Sequence, residues 1–414
     1  MKLPASLLLL SVSSLAQTPA KITGDWTGSA VSHGQQVPLH LRITGKADAL
    51  NAALINGPET APATSVTVDG NHVVVNFNYY TKTLDATLTD GKLTGSYGTK
   101  AVRYPLTLSQ AAPAAGAGSA APKIGGEWEI EVKSAKGESA WQLRVAQDRA
   151  SVKAVIQRID GDTGSLYGTW GAGTYRVSHF TAAGPALYTL TPKNDGTLVV
   201  TNLLRADLPT PDQQNLVARR PEAARAARLA PPTDPTQQTR MKDTNARFQF
   251  SAKDLSGRLV TNNDRQFDGK VVIVTVGGSW CPNCHDEAPF FESLYKQFHA
   301  RGLEIVNLSF EEDEEQLKDP VRLRAFIARY HLEYTVLLAG TTDQLNEKVP
   351  QAEHLNSWPT SFILGRDGKV RQVHAGFAGP GNPEGHEELV KEMTALIGEL
   401  VAEPVPAQNA SLAR

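Results

Sequence analysis

Hydrophobic and polar positions along this chain follow two periods. In the first half, short runs rich in Val, Leu, Tyr and Thr alternate apolar with polar residues, as in HVVVNFNYY (residues 72–80), TLDATLT (83–89), ALYTLTP (186–192) and TLVVTNL (197–203). Alternation of period two, punctuated by DG and NG turn signals, predicts antiparallel strands with one buried face. From Phe248 onward the pattern changes. KVVIVTVGG (270–278), LEIVNLSF (303–310) and YTVLLAG (334–340) are continuous apolar runs, as expected of strands buried on both faces. Between them, Phe290, Leu294 and Phe298 stand at helical spacing in a segment that stops at Gly302. DPVRLRAFIARYHL (319–332) and HEELVKEMTALIGELV (386–401) predict two further helices, and residues 361–377 a hairpin. The predicted fold class is therefore multidomain: two N-terminal all-β modules, each a small sandwich or barrel, and a C-terminal α/β domain whose mixed sheet is covered on both faces.

Composition marks the joints. QAAPAAGAGSAAP (110–122) is an Ala/Gly/Pro linker, and residues 209–245 form a longer Pro-bounded connector. The predicted order is a signal segment over 1–16, β modules over 20–110 and 123–208 separated by the 111–122 linker, the 209–245 connector, the α/β domain over 246–403 and a tail over 404–414. The two β modules read as copies: ITGDW ending at Trp26 recurs as IGGEW ending at Trp128, Phe77 as Phe180, and Asp90-Gly91 as Asp195-Gly196. Whether they form two barrels or halves of one is open in the sequence. Trp26 and Trp128 are expected to be core plugs.

At 414 residues the chain is too long for one typical core, and its formal net charge of −2 carries no basic face of the kind phosphate backbones require. Nucleic acid is not an expected partner. Lys2 before an apolar run from Leu7 to Val12, then Ser14 and Ala16, follows the secretory pattern and predicts release into the periplasm or cell envelope with no membrane span in the mature chain. The arginines between Arg219 and Leu229 read as a solvated helical spacer, with a docking patch as the alternative, and the six carboxylates of FEEDEEQLKDP (310–320) as a solvated face.

The two cysteines, Cys281 and Cys284, stand together in GGSWCPNCHDEAP (277–289), at the junction from a predicted buried strand into a predicted helix. A thiol at the first helical turn meets unpaired backbone N–H groups and the positive end of the helix dipole, which favour the thiolate. Pro282 suits the first helical position. Cys284, one turn further in, is expected to be more buried and to face the first sulfur; Cys281 should attack and Cys284 resolve. A structural disulfide would close too small a loop to stabilise much. CPNCH also fits haem attachment with His285 as axial ligand, but a strand feeding straight into the motif leaves no haem-sized cavity, and a fourth zinc ligand is missing. No cofactor or metal is expected beyond the cysteine pair, and His285 reads as a partly exposed first-turn residue.

WCPNC, the CxxCxxExP pattern through Glu287 and Pro289, and SWPTSFILGRDGKVRQVHAGF (357–377) resemble the TlpA/ResA-type thiol-disulfide oxidoreductases of the thioredoxin superfamily. The resemblance covers residues 248–403 and implies a thioredoxin-like domain. It also implies that Pro359 is a cis proline facing the cysteines, and that Glu287 is a buried acid that tunes them and relays a proton. The spacing of Glu287 one turn below Cys284 agrees, while a carboxylate stabilised by the helix start is the plainer alternative. Trp280, Pro282, Asn283, Trp358, Pro359 and Thr360 are the expected substrate-docking residues. Where the family usually carries an aromatic shortly before the Trp, this chain has Val276-Gly277-Gly278-Ser279, which would open the surface beside Trp280 or loosen the backbone. The expected partners are protein disulfides and an upstream electron donor at the membrane, with the protein acting as a reductant. Two alternatives stand beside this reading: β modules that carry the main function as an envelope binding protein, with an ancillary redox domain, and a peroxiredoxin-like antioxidant activity.

Overall fold

The structure, a computed structural model, describes residues 22–46, 49–110, 121–205 and 214–405. The expected signal segment, most of the 111–122 linker and the tail beyond Val405 lie outside the described residues.

Residues 24–109 form one antiparallel sheet whose edges are Glu59–Pro62, paired to Ala49–Asn56, and Ser65–Asp69, paired to His72–Phe77. These edges are consecutive in sequence. Ala63 N donates to Ala52 O (2.8 Å) and Thr64 N to Asn76 O (2.7 Å), so one bent strand continues both ladders and closes the sheet on itself. The period-two pattern is realised directly: in Gln35–Lys46, Val37, Leu39, Leu41 and Ile43 face the interior and Pro38 and Arg42 face out.

The second β module is a separate sheet, closed where Ala140–Asp148 pairs with Ser151–Arg158. Leu216–Arg219, which the sequence reading placed in the connector, is one of its strands, inserted between Gly126–Glu131 and Leu198–Asn202. Four residues are too few to show alternation in sequence, yet they satisfy two strand edges that would otherwise be open. The following arginines are not a solvated spacer. Arg219 pairs with Glu131 (2.9 Å), Arg220 lies 3.8 Å over the Trp128 ring, and Arg225 pairs with Glu129, so the basic stretch fastens the connector to the barrel.

Trp26 and Trp128 are buried and do the same thing in each copy: the indole N–H donates to the carbonyl four residues upstream, Ile22 (2.7 Å) and Ile124 (2.8 Å). Phe77 and Phe180 are not equivalent. Phe77 sits in the first barrel's core, and Phe180 leaves its own barrel to join that same core beside Tyr97 (centroids 5.2 Å apart).

The last domain is a mixed sheet in the order Leu259–Thr261, Ser251–Asp254, Thr335–Thr341, Leu303–Glu311, Val271–Gly277, Thr360–Leu364, Val370–Ala375. Its three central strands are parallel. Val271–Gly277 and Leu303–Glu311 are buried throughout because both faces are covered. Helices Pro282–Phe298, Val321–Tyr330 and Pro383–Ala402 pack on Ile273, Ile305 and Ile363; Phe248, Phe267 and Leu345 cover Val272, Val274 and Phe362 on the other side. This is a thioredoxin-like domain. Among the described residues no helix is long and apolar enough to cross a membrane.

Candidate active site

Strand Val271–Gly277 ends where the motif begins, and its antiparallel neighbour pairs Thr360 with Val276. That register brings the Trp358-Pro359 peptide, which is cis, to the same end of the sheet as the cysteines. Cys281 is the N-cap of helix Pro282–Phe298, with Pro282 at its first position. Its Sγ accepts from Cys284 N at 3.2 Å. Both cysteines are free thiols. Their burial does not differ as expected: Cys281 is 3% exposed and Cys284 2%. Burial, then the hydrogen bond with Cys281, pushes the Cys284 thiol well above its ordinary range, so it is protonated at neutral pH.

Glu287 is buried between two hydroxyl donors, Thr275 Oγ1 (2.8 Å) and Ser361 Oγ (2.9 Å), each on a strand that flanks the motif helix. Desolvation outweighs both bonds and pushes its carboxyl up to about 8. It lies in the second helical turn, inside the core, away from the exposed helix start.

His285 is not partly exposed. Its ring is buried, with Nε2 on Ser279 O (2.9 Å) and Nδ1 on Tyr330 Oη (3.0 Å), and it packs edge-on to Phe326. Tyr80 of the first barrel lies 4.2 Å from it. Burial lowers its pKa to about 3, which leaves a neutral ring that braces the loop before Cys281 and brings no positive charge to it.

That loop is held by a buried network which the sequence reading missed. Ser279 Oγ donates to Glu311 (2.7 Å) and accepts from Arg322 Nε (2.9 Å), and Arg322 pairs with Glu311 (2.9 Å). Glu311 is therefore fully buried and not part of a solvated acidic face; its five acidic neighbours in the run are exposed. The available signal was its place at the end of a continuous apolar strand. The two glycines do not open the surface either. A Cβ on Gly278 would meet Trp280 Nε1 at 2.3 Å and Phe310 O at 2.4 Å, so its absence lets the indole donate to Phe310 O (2.9 Å).

Trp280 and Trp358 are half-buried and meet edge to face at 5.6 Å, with Pro282 exposed beside them. Thr360 does not face the groove; it is buried and donates to Ser357 O (2.8 Å), which fixes the turn before Pro359. Asn283 and Trp358 are already engaged. Asn283 Nδ2 donates to Asp160 O (3.0 Å) and Trp358 N to Asp160 Oδ1 (3.1 Å), a residue of the second barrel that no sequence pattern singled out. Among the described residues no group of three or more His, Cys, Asp or Glu is arranged to hold a metal ion.

The AhpC/TSA family profile matches residues 244–373. Thiol-disulfide oxidoreductase ResA of Bacillus thuringiensis subsp. konkukian is 29% identical over 161 residues, which are 38% of this chain and 83% of that protein. Its namesake in Bacillus cereus is 30% identical over 147 residues, 35% of this chain and 75% of that protein. The chain belongs to the ResA-type thiol-disulfide oxidoreductases. A solved structure described as a putative thiol:disulfide interchange protein DsbE from Chlorobium tepidum covers 37% of this chain and 99% of its own at 23% identity, with a TM-score of 0.29. The profile match falls on the thioredoxin-like part of this oxidoreductase, and the β sheets that contact Asn283, Trp358 and His285 lie outside it.

Proposed function

We propose that this oxidoreductase is exported and reduces protein disulfides in the cell envelope through the Cys281–Cys284 couple. The observation that carries the reading is the convergence of a helix-capping Cys281, a Pro359 immediately before the adjoining strand Thr360–Leu364 and a buried Glu287. Cys281, as the thiolate, attacks one sulfur of a client disulfide; a mixed disulfide forms and the first client sulfur leaves as thiolate. Cys284 then gives its proton toward the ionised Glu287 and attacks Cys281 Sγ. The second client sulfur leaves, the Cys281–Cys284 disulfide remains, and two electrons have passed to the client. An upstream dithiol donor at the membrane restores the pair. Trp280, Trp358 and Pro359 shape the groove in which the client lies. The secretory pattern at the N-terminus supports the envelope location.

Replacing Cys284 by Ser removes the second attack. The expected result is a set of mixed disulfides through Cys281 recovered from an envelope extract under thiol-blocking conditions; recovery of none would overturn the reading.

A further inference from the structure

The groove beside the cis proline is occupied by the chain itself. Asp160, at the tip of the second barrel's turn after strand Ser151–Arg158, offers its carbonyl to two donors, Asn283 Nδ2 (3.0 Å) and Phe377 N (3.1 Å). Its carboxylate accepts from Trp358 N (3.1 Å) and pairs with Lys136 of the same barrel. Gly161 continues the contact as a parallel bridge to Phe377. The amide next to Pro359, Trp358 N, is thus paired with a side chain that arrives from another domain, while Pro359 O accepts from Gly376 N (2.6 Å) within its own.

The seat is built for close approach from both sides. Gly161 has φ +132°, and a Cβ there would meet Phe377 O at 2.3 Å and the Asn283 amide at 2.7 Å. Across from it, Gly376 has φ +71°, and a Cβ would meet Ile159 O at 2.0 Å. Two glycines facing each other across an interdomain contact let backbone reach backbone. Polar contacts flank this seat: Arg144 binds Asn382 (2.7 Å) and Glu384 (3.0 Å), and Asn382 binds Gln157 (3.0 Å). The second barrel's own apolar core contains no residue of the thioredoxin-like domain, while Phe180, Ala182 and Leu187 anchor that barrel in the core of the first.

We infer that the Ile159–Asp162 turn is an internal occupant of the client-docking surface, making the second barrel a cap that a client must displace to reach Cys281. This rests on the reading of Cys281 as the attacking sulfur. Asp160 and Gly161 contact Asn283, Trp358 and Phe377, which stand around a Cys281 that is itself 3% exposed. The cap gives the barrels a role in client choice: a segment enters by competing for the donors on Asn283, Trp358 and Phe377.

Two measurements on the full chain test it. The rate at which reduced Cys281 is alkylated by iodoacetamide is expected to rise about tenfold or more in Asp160→Ala, which removes a charge-assisted bond and an ion pair, with an unchanged circular dichroism spectrum. In the second, Cys284→Ser is loaded at Cys281 with a cysteine-containing peptide or with a methylthio group. Hydrogen exchange over residues 158–164 is expected to rise with the peptide and not with the small group. Equal alkylation rates together with unchanged exchange under the peptide would overturn the cap. Alkylation reports access and not turnover: faster alkylation without client reduction keeps the cap and removes the reductase reading, and client reduction with neither effect does the reverse.

Discussion

The ring of Tyr80, in the short 3-10 turn Asn78–Tyr80 of the first barrel, lies over His285 of the motif helix with centroids 4.2 Å apart. Helix and barrel thereby share one buried aromatic cluster with Tyr79, Phe326 and Tyr330. His285 has a folded pKa of about 3 against 6.5 when unfolded, so the unfolded chain binds a proton that the folded one refuses. Its contribution to stability is therefore intact above pH 6.5 and falls as pH drops from there toward 3. Tyr80→Ala should let water reach the ring and raise its pKa toward the ordinary value. Titration of the His285 Cε1 proton by NMR checks this.

Glu287 titrates with the opposite sign. A carboxyl raised from 4.5 to about 8 keeps its full contribution to stability below pH 4.5 and loses it as pH rises through 8. Glu287→Gln is therefore expected to stabilise the protein at pH 8 and above, by on the order of a few kcal/mol, while slowing client release. The wild-type resolving rate should rise with pH toward 8, and the variant's should be flat. Denaturant titrations at pH 6 and 9, with stopped-flow resolution of a mixed disulfide at the same values, measure both effects.

The pair Arg322–Glu311 is buried on both sides and carries Ser279 with it. Arg322→Ala leaves a buried carboxylate without its counter-ion and should cost about 3–5 kcal/mol. Glu311→Gln should cost less, since the Ser279 bond survives. Thermal unfolding of the two variants gives the order.

Trp128→Ala should destabilise by about 3–5 kcal/mol, because it leaves a cavity in the second barrel and removes the face on which Arg220 rests. Arg220→Ala keeps the core intact and should instead loosen the connector. Faster tryptic cleavage between residues 219 and 228, with little change in melting temperature, is the expected result.

These residues also show what was legible in the sequence. Cys281 and Cys284 were readable from a buried strand entering a helix, whereas Pro359 and Glu287 were singled out through the resemblance to the TlpA/ResA-type oxidoreductases, with the one-turn spacing from Cys284 agreeing for Glu287. The strands of the β modules were readable from alternation, as in His72 to Phe77, but not whether they close into barrels or sandwiches. Asp160, Tyr80 and the Ser279–Glu311–Arg322 network were not, because each acquires its role from a partner brought in by tertiary packing. Asp160 lies 123 positions before Asn283 in an ordinary-looking turn. The same packing laid Tyr80 over His285 and turned Glu311 from one more acid in a charged run into the partner of Arg322.

The direct test of the Cys281–Cys284 couple is its equilibrium against glutathione, read by mass spectrometry after acid quenching and alkylation. A reductase of envelope disulfides should form its own disulfide even when reduced glutathione is in large excess, in a single two-electron step that either Cys→Ser variant abolishes. If the pair stays a dithiol until oxidised glutathione predominates, the protein is an oxidant or no redox couple at all, and the proposed direction of electron flow is wrong.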